Sequence, residues 1–198
     1  MLALSTLCAP SEWSLDRAVQ SFRAFDVRAV ALHREPSREE IAGLRPIARQ
    51  LRIVAIFGEE SVDSRAVLVV EGGPVGEDRE QSLENLCRRL HALREFPVAL
   101  RTPEDEANHP APHEIEMVRS SLPNVGYWHD AERGGLEFLE VAQRWTRGAS
   151  FHPLTDLDLG GIRDALPRGA PGVVSCPPGT SKAEVKEALA RARGFFRA

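Results

Sequence analysis

The sequence predicts an α/β fold, a single small (β/α)8 TIM barrel formed by residues 1–198. Short apolar segments alternate with amphipathic segments of helical length, which is typical of βαβ units and a parallel sheet. Some apolar segments, such as residues 66–71, show no polar alternation, as expected for parallel strands covered on both faces. Because 198 residues is close to the minimum for such a barrel, an open, doubly wound sheet is the structural alternative.

Eight segments have the features of strands. Each is short, apolar and bounded by glycine, proline or polar residues. In chain order they are residues 2–8, 27–33, 52–58, 66–71, 97–101, 124–130, 148–152 and 172–176.

The segments between the strands show apolar residues at helical spacing. They are residues 15–25, 41–51, 83–93, 115–122, 136–145, 159–166 and 185–196. The pairs Ser37/Glu40 and Ser181/Glu184 have the spacing of a capping box at a helix start. Residues 59–65 leave no room for a helix between the third and fourth strands, so the third helix should be short or absent.

Composition excludes several classes of protein. Hydrophobic residues make up 42% and charged residues 27%, which is ordinary for a globular chain. The net charge of −4 argues against a nucleic-acid partner or an anionic membrane surface. The apolar segment 2–8 has no basic flank and is too short to span a bilayer. Three separated cysteines form no disulfide framework. We therefore expect a cytoplasmic protein.

Ionisable and metal-binding residue types stand at most of the predicted strand ends. Active sites of parallel barrels gather at the C-terminal ends of the strands. The residues there are Cys8, His33, Glu59, Glu71, Arg101, His129, Asp130, His152 and Cys176. His129 precedes Asp130 directly, so we expect it to face the helices and to have a structural role. The rest of the set predicts a ligand site at this end of the barrel.

Five segments carry a family resemblance in order along the chain. They are LVVEGGPVGED, VALRTPED, VGYWHDAERGG, ASFHPLTDLD and GVVSCPP. Together they resemble successive strand ends of the xylose isomerase-like TIM barrels. That superfamily contains sugar-phosphate isomerases and epimerases and the family 2 AP endonucleases.

The resemblance implies a divalent metal held by two glutamates, an aspartate and a histidine. This sequence keeps the aspartate at Asp130 and the histidine at His152, whereas the fifth-strand glutamate falls on Arg101 and the last one on Cys176. A divalent ion about 5 Å from the Arg101 guanidinium would be repelled by roughly 7 kcal/mol at an effective dielectric constant of about 20. The metal site is therefore degenerate, and we expect no tightly bound metal and no other cofactor.

Two more positions depart from the family pattern. The histidine that follows the aspartate falls on Arg133. Glu71 stands before Gly72 and Gly73, where endonuclease-like members often have a metal-binding histidine.

The family chemistry is proton transfer beside a carbonyl, with a metal polarising the oxygen. Without the metal, His152 and Asp130 are the candidate catalytic acid–base residues. The candidate substrate-binding residues are Glu71, Arg101, Arg133, His33 and Cys176. The resemblance thus implies an isomerase- or epimerase-like protein that acts on or binds a sugar or sugar phosphate. The alternative is an inactive barrel that binds a ligand or a protein. A metal-dependent endonuclease would lack its ligands here.

Each candidate also has a structural alternative. Glu71 and Arg101 would form an ion pair that neutralises the site, Asp130 would cap a helix or pair with Arg133, and His152 would fill the core. Barrel closure makes the first and last strands neighbours, so Cys8 and Cys176 should lie close together as inert thiols, a disulfide or a zinc site.

Overall fold

Eight parallel strands form a closed barrel in the computed structural model, which describes residues 1–48 and 50–196. The strands are β1 (Leu2–Ser5), β2 (Ala29–Leu32), β3 (Arg52–Phe57), β4 (Val67–Val70), β5 (Val98–Arg101), β6 (Val125–Asp130), β7 (Thr146–Phe151) and β8 (Gly172–Val174). All eight predicted strands are therefore confirmed, with bounds a few residues different. β1 pairs with both β2 and β8, which excludes the open sheet.

Helices surround the barrel. Within the described residues they are α1 (Leu15–Ser21), α2 (Arg38–Ile47), α3 (Arg79–His91), α4 (Pro112–Ser121), α5 (Leu136–Ala142), α6 (Leu159–Ala165) and α7 (Lys182–Phe195). Residues 58–66, which are all described, contain no helix, as predicted. Both predicted capping boxes form, at the starts of α2 and α7. None of the helices in the described ranges is long and apolar enough to cross a membrane.

Closure brings the two predicted thiols together. The backbone N–H of Cys176 donates to Sγ of Cys8 at 3.1 Å. Sγ of Cys8 also lies 3.7 Å from the carbonyl oxygen of Val174. Cys8 ends a short 3-10 turn after β1, Thr6–Cys8, rather than the strand itself. Both cysteines are free and buried.

The barrel interior is filled by one large side chain among small ones. Trp128 is fully buried there, and its indole Nε1 donates to Oγ of Ser150 at 3.3 Å. Alanines from β1, β2, β3 and β5 surround it. Gly148 is needed for this packing, because a Cβ there would lie 2.5 Å from the Trp128 ring. Phe57 packs edge-on against Trp128, with ring centroids 5.8 Å apart, and so forms the floor of the C-terminal end.

Candidate functional site

A small cavity opens at the C-terminal ends of the strands, directly above Phe57. We call it the mouth cavity. Its volume is about 180 Å³, and it is lined by Ser5, Leu7, His33, Phe57, Arg101, Asp130, Glu132, Ser150, Phe151 and Ser175. Three of the predicted site residues, His33, Arg101 and Asp130, thus meet in one place.

Arg101 is held on two sides by carboxylates. Its Nε donates to Oδ2 of Asp130 at 2.8 Å, and one terminal nitrogen makes a second bond to the same oxygen. The other terminal nitrogen donates to Oε1 of Glu71 at 2.9 Å. The guanidinium carbon also lies 4.9 Å from the centre of the Phe57 ring. These contacts confirm the expected ion pair of Arg101 with Glu71, and Asp130 is a second carboxylate partner of Arg101.

Arg133 extends this ion-pair cluster outwards. One of its terminal nitrogens donates to both carboxylate oxygens of Glu71 at 2.9 Å, and the other donates to Glu104 at 3.1 Å. Its Nε lies 3.7 Å from Oδ2 of Asp130. Arg133 therefore contacts the same two carboxylates as Arg101. Each arginine helps to hold these carboxylates in position for the other.

The charges around the mouth do not balance. Glu71, Glu104 and Asp130 belong to the ion-pair cluster, and Glu132 lines the cavity. Four carboxylates therefore face two guanidiniums, which leaves an excess of two negative charges. The mouth is acidic on balance, although two arginines stand in it.

His33 reaches the cavity from β2 in a fixed orientation. Its Nδ1 lies 2.7 Å from Oγ1 of Thr6, and the same oxygen accepts the backbone N–H of His33 at 3.0 Å. Burial, and then the charge of Arg34, lower the pKa of His33. The imidazole is therefore neutral near pH 7, with Nε2 as the nitrogen not engaged by Thr6.

His152 does not join Asp130. Within the described part of the chain no hydrogen bond links the two, and His152 does not line the mouth cavity. Its Nε2 is buried with no hydrogen-bond partner among those residues. Hydrogen bonds from Ser181 lower the pKa of Glu184, and His152 contributes to that shift, which places the histidine near the start of α7. The predicted acid–base pair is therefore not assembled.

Cys176 lies outside the mouth, contrary to the sequence-based expectation. Side chains alternate along a strand and its extension. Val173 faces the barrel interior and Val174 faces the helices, so Ser175 points into the mouth and Cys176 packs in the outer core. A ligand in the mouth cavity would meet Ser175 instead.

Sequence reasoning missed the hydroxyl groups of the site. Ser5 and Ser150 are almost completely buried and line the cavity with Ser175. The signal that could have found them is alternation: Ser150 is two residues from Gly148, and Ser5 is two from Ala3, both inward-facing positions. His129, in contrast, packs 6.2 Å from Tyr127 between sheet and helices, as expected.

A larger groove of about 700 Å³ lies beside the mouth. It runs between the loops after β5 and β6, over an apolar floor that includes Phe138 and Val141. Arg133 and Glu104 belong both to its wall and to the ion-pair cluster. The groove is therefore adjacent to the mouth cavity and separated from it by that cluster.

The residues present do not fit a divalent metal. Within residues 1–48 and 50–196, no three His, Cys, Asp or Glu side chains are grouped as a metal ion would require. Two carboxylates at the strand ends, Glu71 and Asp130, both bind the guanidinium of Arg101. A cation there would have to displace a positive charge that is already hydrogen-bonded.

Comparison with known proteins identifies the fold. No family model matches the sequence, and no curated protein is significantly similar to it. Solved structures do match over 100% of this chain. A xylose isomerase domain protein from Planctomyces limnophilus has 14% identity and a TM-score of 0.66 over 97% of its length. This chain has the fold of the xylose isomerase-like barrels.

Two more xylose isomerase-like barrels support the same conclusion. A xylose isomerase domain-containing protein from Salmonella typhimurium matches with 11% identity and a TM-score of 0.68, over 97% of that protein. A family 2 AP endonuclease from Brucella melitensis matches with 12% identity and a TM-score of 0.67, over 99% of its length. At these low identities, the TM-scores and the coverage show a shared fold.

Proposed function

We propose that this xylose isomerase-like barrel binds a small, neutral polyhydroxy molecule in the mouth cavity, without a divalent metal. The observation that carries the proposal is the set of hydroxyl groups that face the cavity. Oγ of Ser150 accepts the Trp128 indole N–H, and Oγ of Ser5 accepts the backbone N–H of Leu7. Each hydroxyl hydrogen is then left to donate to a ligand.

Charge favours a neutral ligand over a sugar phosphate. The excess of two negative charges around the mouth would repel a phosphate dianion. Arg101 has carboxylate partners on both sides, so its charge is already compensated. Its remaining N–H groups can still donate to a sugar hydroxyl.

Size sets an upper limit on the ligand. A volume of about 180 Å³ lies below the roughly 300–1,000 Å³ of most ligand pockets and equals about six water molecules. Phe57 supplies an apolar surface at the base of the cavity for the carbon face of the ligand. A tetrose, a pentose or a short polyol matches this space and this polarity.

A screen by thermal unfolding tests the proposal. Chelator-treated protein is heated with xylose, ribose, erythritol or glycerol, and with ribose 5-phosphate. We expect at least one neutral compound to raise the midpoint temperature of unfolding. Ribose 5-phosphate should raise this temperature less than ribose does. The variant Ser175→Val should lose the effect because it removes one of the cavity's hydroxyl groups and narrows the cavity.

The exposed Ser11 provides the matched control, since Ser11→Val makes the same chemical change outside the site. It should respond to the sugars as the wild type does. The proposal fails if no neutral compound raises the midpoint, or if Ser175→Val responds like Ser11→Val.

A second candidate function is isomerase- or epimerase-like proton transfer, and His33 is the observation that favours it. A neutral imidazole that is oriented through Nδ1 and faces a ligand cavity can act as a general base. In deuterium oxide, wild-type protein would then exchange a carbon-bound hydrogen of the bound sugar, and His33→Gln would not. If the wild type binds the sugar without hydrogen exchange, the proton-transfer function is wrong and only the binding function remains.

A further inference from the structure

Four arginines converge at the opposite, N-terminal end of the barrel. They line a second cavity of about 270 Å³, which we call the arginine cavity. Arg52 is the first residue of β3, and Arg65 lies two residues before β4. Arg147 lies in β7, and Arg168 lies in the loop between α6 and β8. Distant parts of the chain thus bring four guanidiniums to one opening.

Carboxylates compensate these charges less than they do at the mouth, because one carboxylate, Asp63, acts on both Arg65 and Arg52. No aspartate or glutamate lines the arginine cavity among the described residues. Arg65 pairs with Asp63 at 3.3 Å. Arg52 and Arg168 form no ion pair within residues 1–48 and 50–196. An excess of positive charge in a concave site is the electrostatic requirement for binding an anion.

Arg147 is built into the base of this cavity. It lies where the pairing of β6 with β7 shifts by one residue, between Tyr127 and Trp128. A Cβ at Gly126 would lie 2.6 Å from its Nε, so the glycine allows the guanidinium to lie flat against β6. One terminal nitrogen donates to the carbonyl of Asn124, whereas the buried Nε has no partner among the described residues. Burial, and then the charge of Arg119, lower the pKa of Arg147.

We propose that the arginine cavity binds a phosphate group, as inorganic phosphate or as part of a small phosphorylated molecule. Guanidinium groups donate paired N–H groups that match phosphate oxygens. The cavity is closed below by Val54 and Val67 and is too small for a polymer to enter. This site is independent of the sugar-binding function proposed for the mouth, which lies at the other end of the strands.

Calorimetric titration with inorganic phosphate and with pyrophosphate tests the proposal. The variant Arg52→Gln/Arg168→Gln removes two exposed charges for which the described residues provide no ion-pair partner. The control Arg38→Gln/Arg45→Gln removes two exposed charges from α2. We expect binding by the wild type and the control, and an affinity at least about tenfold lower in the cavity variant. Raising the salt concentration should weaken binding to the wild type.

Three results would overturn the proposal. One is that the wild type gives no heat of binding with either phosphate or pyrophosphate. Another is that the cavity variant and the α2 control bind phosphate with equal affinity. The third is binding of a DNA duplex by wild-type protein that does not bind either small phosphate. Ser175→Val should bind phosphate normally, so a failure of the mouth site and a failure of the arginine cavity can be told apart.

Discussion

Arg101 binds Asp130 through two of its nitrogens, with Nε 2.8 Å from the carboxylate oxygen. The Asp130 side chain is only 6% exposed, and the Arg101 side chain is 25% exposed. Removing the arginine would leave a nearly buried carboxylate without its main partner. The pair therefore stabilises the barrel and also lines the mouth cavity, so a substitution at Arg101 should affect both stability and ligand binding.

Arg101→Met should lower the free energy of unfolding by about 2–3 kcal/mol, because a buried charge loses its partner. Urea unfolding at pH 7 measures the change. Arg163→Met is the control, because Arg163 and Asp164 are 54% and 72% exposed and such pairs contribute at most about 1 kcal/mol. Equal losses in the two variants would show that the mouth pair is no more important than a surface pair.

Acid should destabilise the barrel through His129. Burial lowers the pKa of His129 to about 4, whereas an unfolded histidine titrates near 6.5. Between these pH values the unfolded chain binds a proton that the folded chain does not bind. Stability should therefore fall by about 3 kcal/mol as the pH drops from 6.5 to 4.

Unfolding midpoints in urea at pH 7 and pH 4.5 measure this effect. His129→Leu should make the dependence on pH clearly weaker in this range. The exposed His91 provides the control, and His91→Leu should behave as the wild type does. A wild-type pH dependence that survives in His129→Leu would assign the acid sensitivity to other groups.

The three thiols should differ in reactivity. Cys87 is half-buried, and burial raises its pKa, whereas Cys8 and Cys176 are 7% and 1% exposed. The hydrogen bond with Cys176, followed by burial, raises the pKa of Cys8. Titration with an aromatic disulfide reagent should therefore detect one thiol in the native protein and three in urea. Three thiols reacting at one rate in native protein would show that β1 and β8 do not enclose the pair.

Two substitutions that place carboxylates in the mouth should create a metal site. Arg101→Glu/Ser175→Glu replaces the central guanidinium by a carboxylate and adds a second carboxylate on the inward-facing residue after β8. Together with Asp130 these groups provide the oxygen ligands that divalent ions prefer. Calorimetry should show one manganese or zinc ion per chain in this variant.

The corresponding change at the outward-facing residue provides the control. Arg101→Glu/Cys176→Glu should bind metal more weakly, because position 176 lies among helices. Equal metal affinity in the two variants would contradict the assigned direction of Ser175 and Cys176.

The closed barrel, the absence of a helix between β3 and β4 and the ion pair of Arg101 with Glu71 could all be predicted from the sequence. They depend on the order of apolar and amphipathic segments along the chain and on the rule that the ends of parallel strands meet. The direction of Cys176 could not be predicted, because a continuous apolar strand such as β8 gives no sign of which side chains face inwards. The strand register shifts by one residue after Val30 and after Tyr127, and the sequence gives no signal for either shift. The position of His152 after β7 predicts a place in the mouth, but His152 is not among the described residues that line the mouth cavity.

The metal content of the wild-type protein tests most directly whether Arg101, with its two carboxylate partners, excludes a metal from the position where the family resemblance implies one. Protein is incubated with zinc and manganese, desalted and analysed by plasma emission spectrometry, with and without prior chelator. We expect well under about 0.1 ion per chain and an unchanged unfolding temperature after chelation. One tightly held ion per chain, together with a chelator-sensitive unfolding temperature, would contradict it.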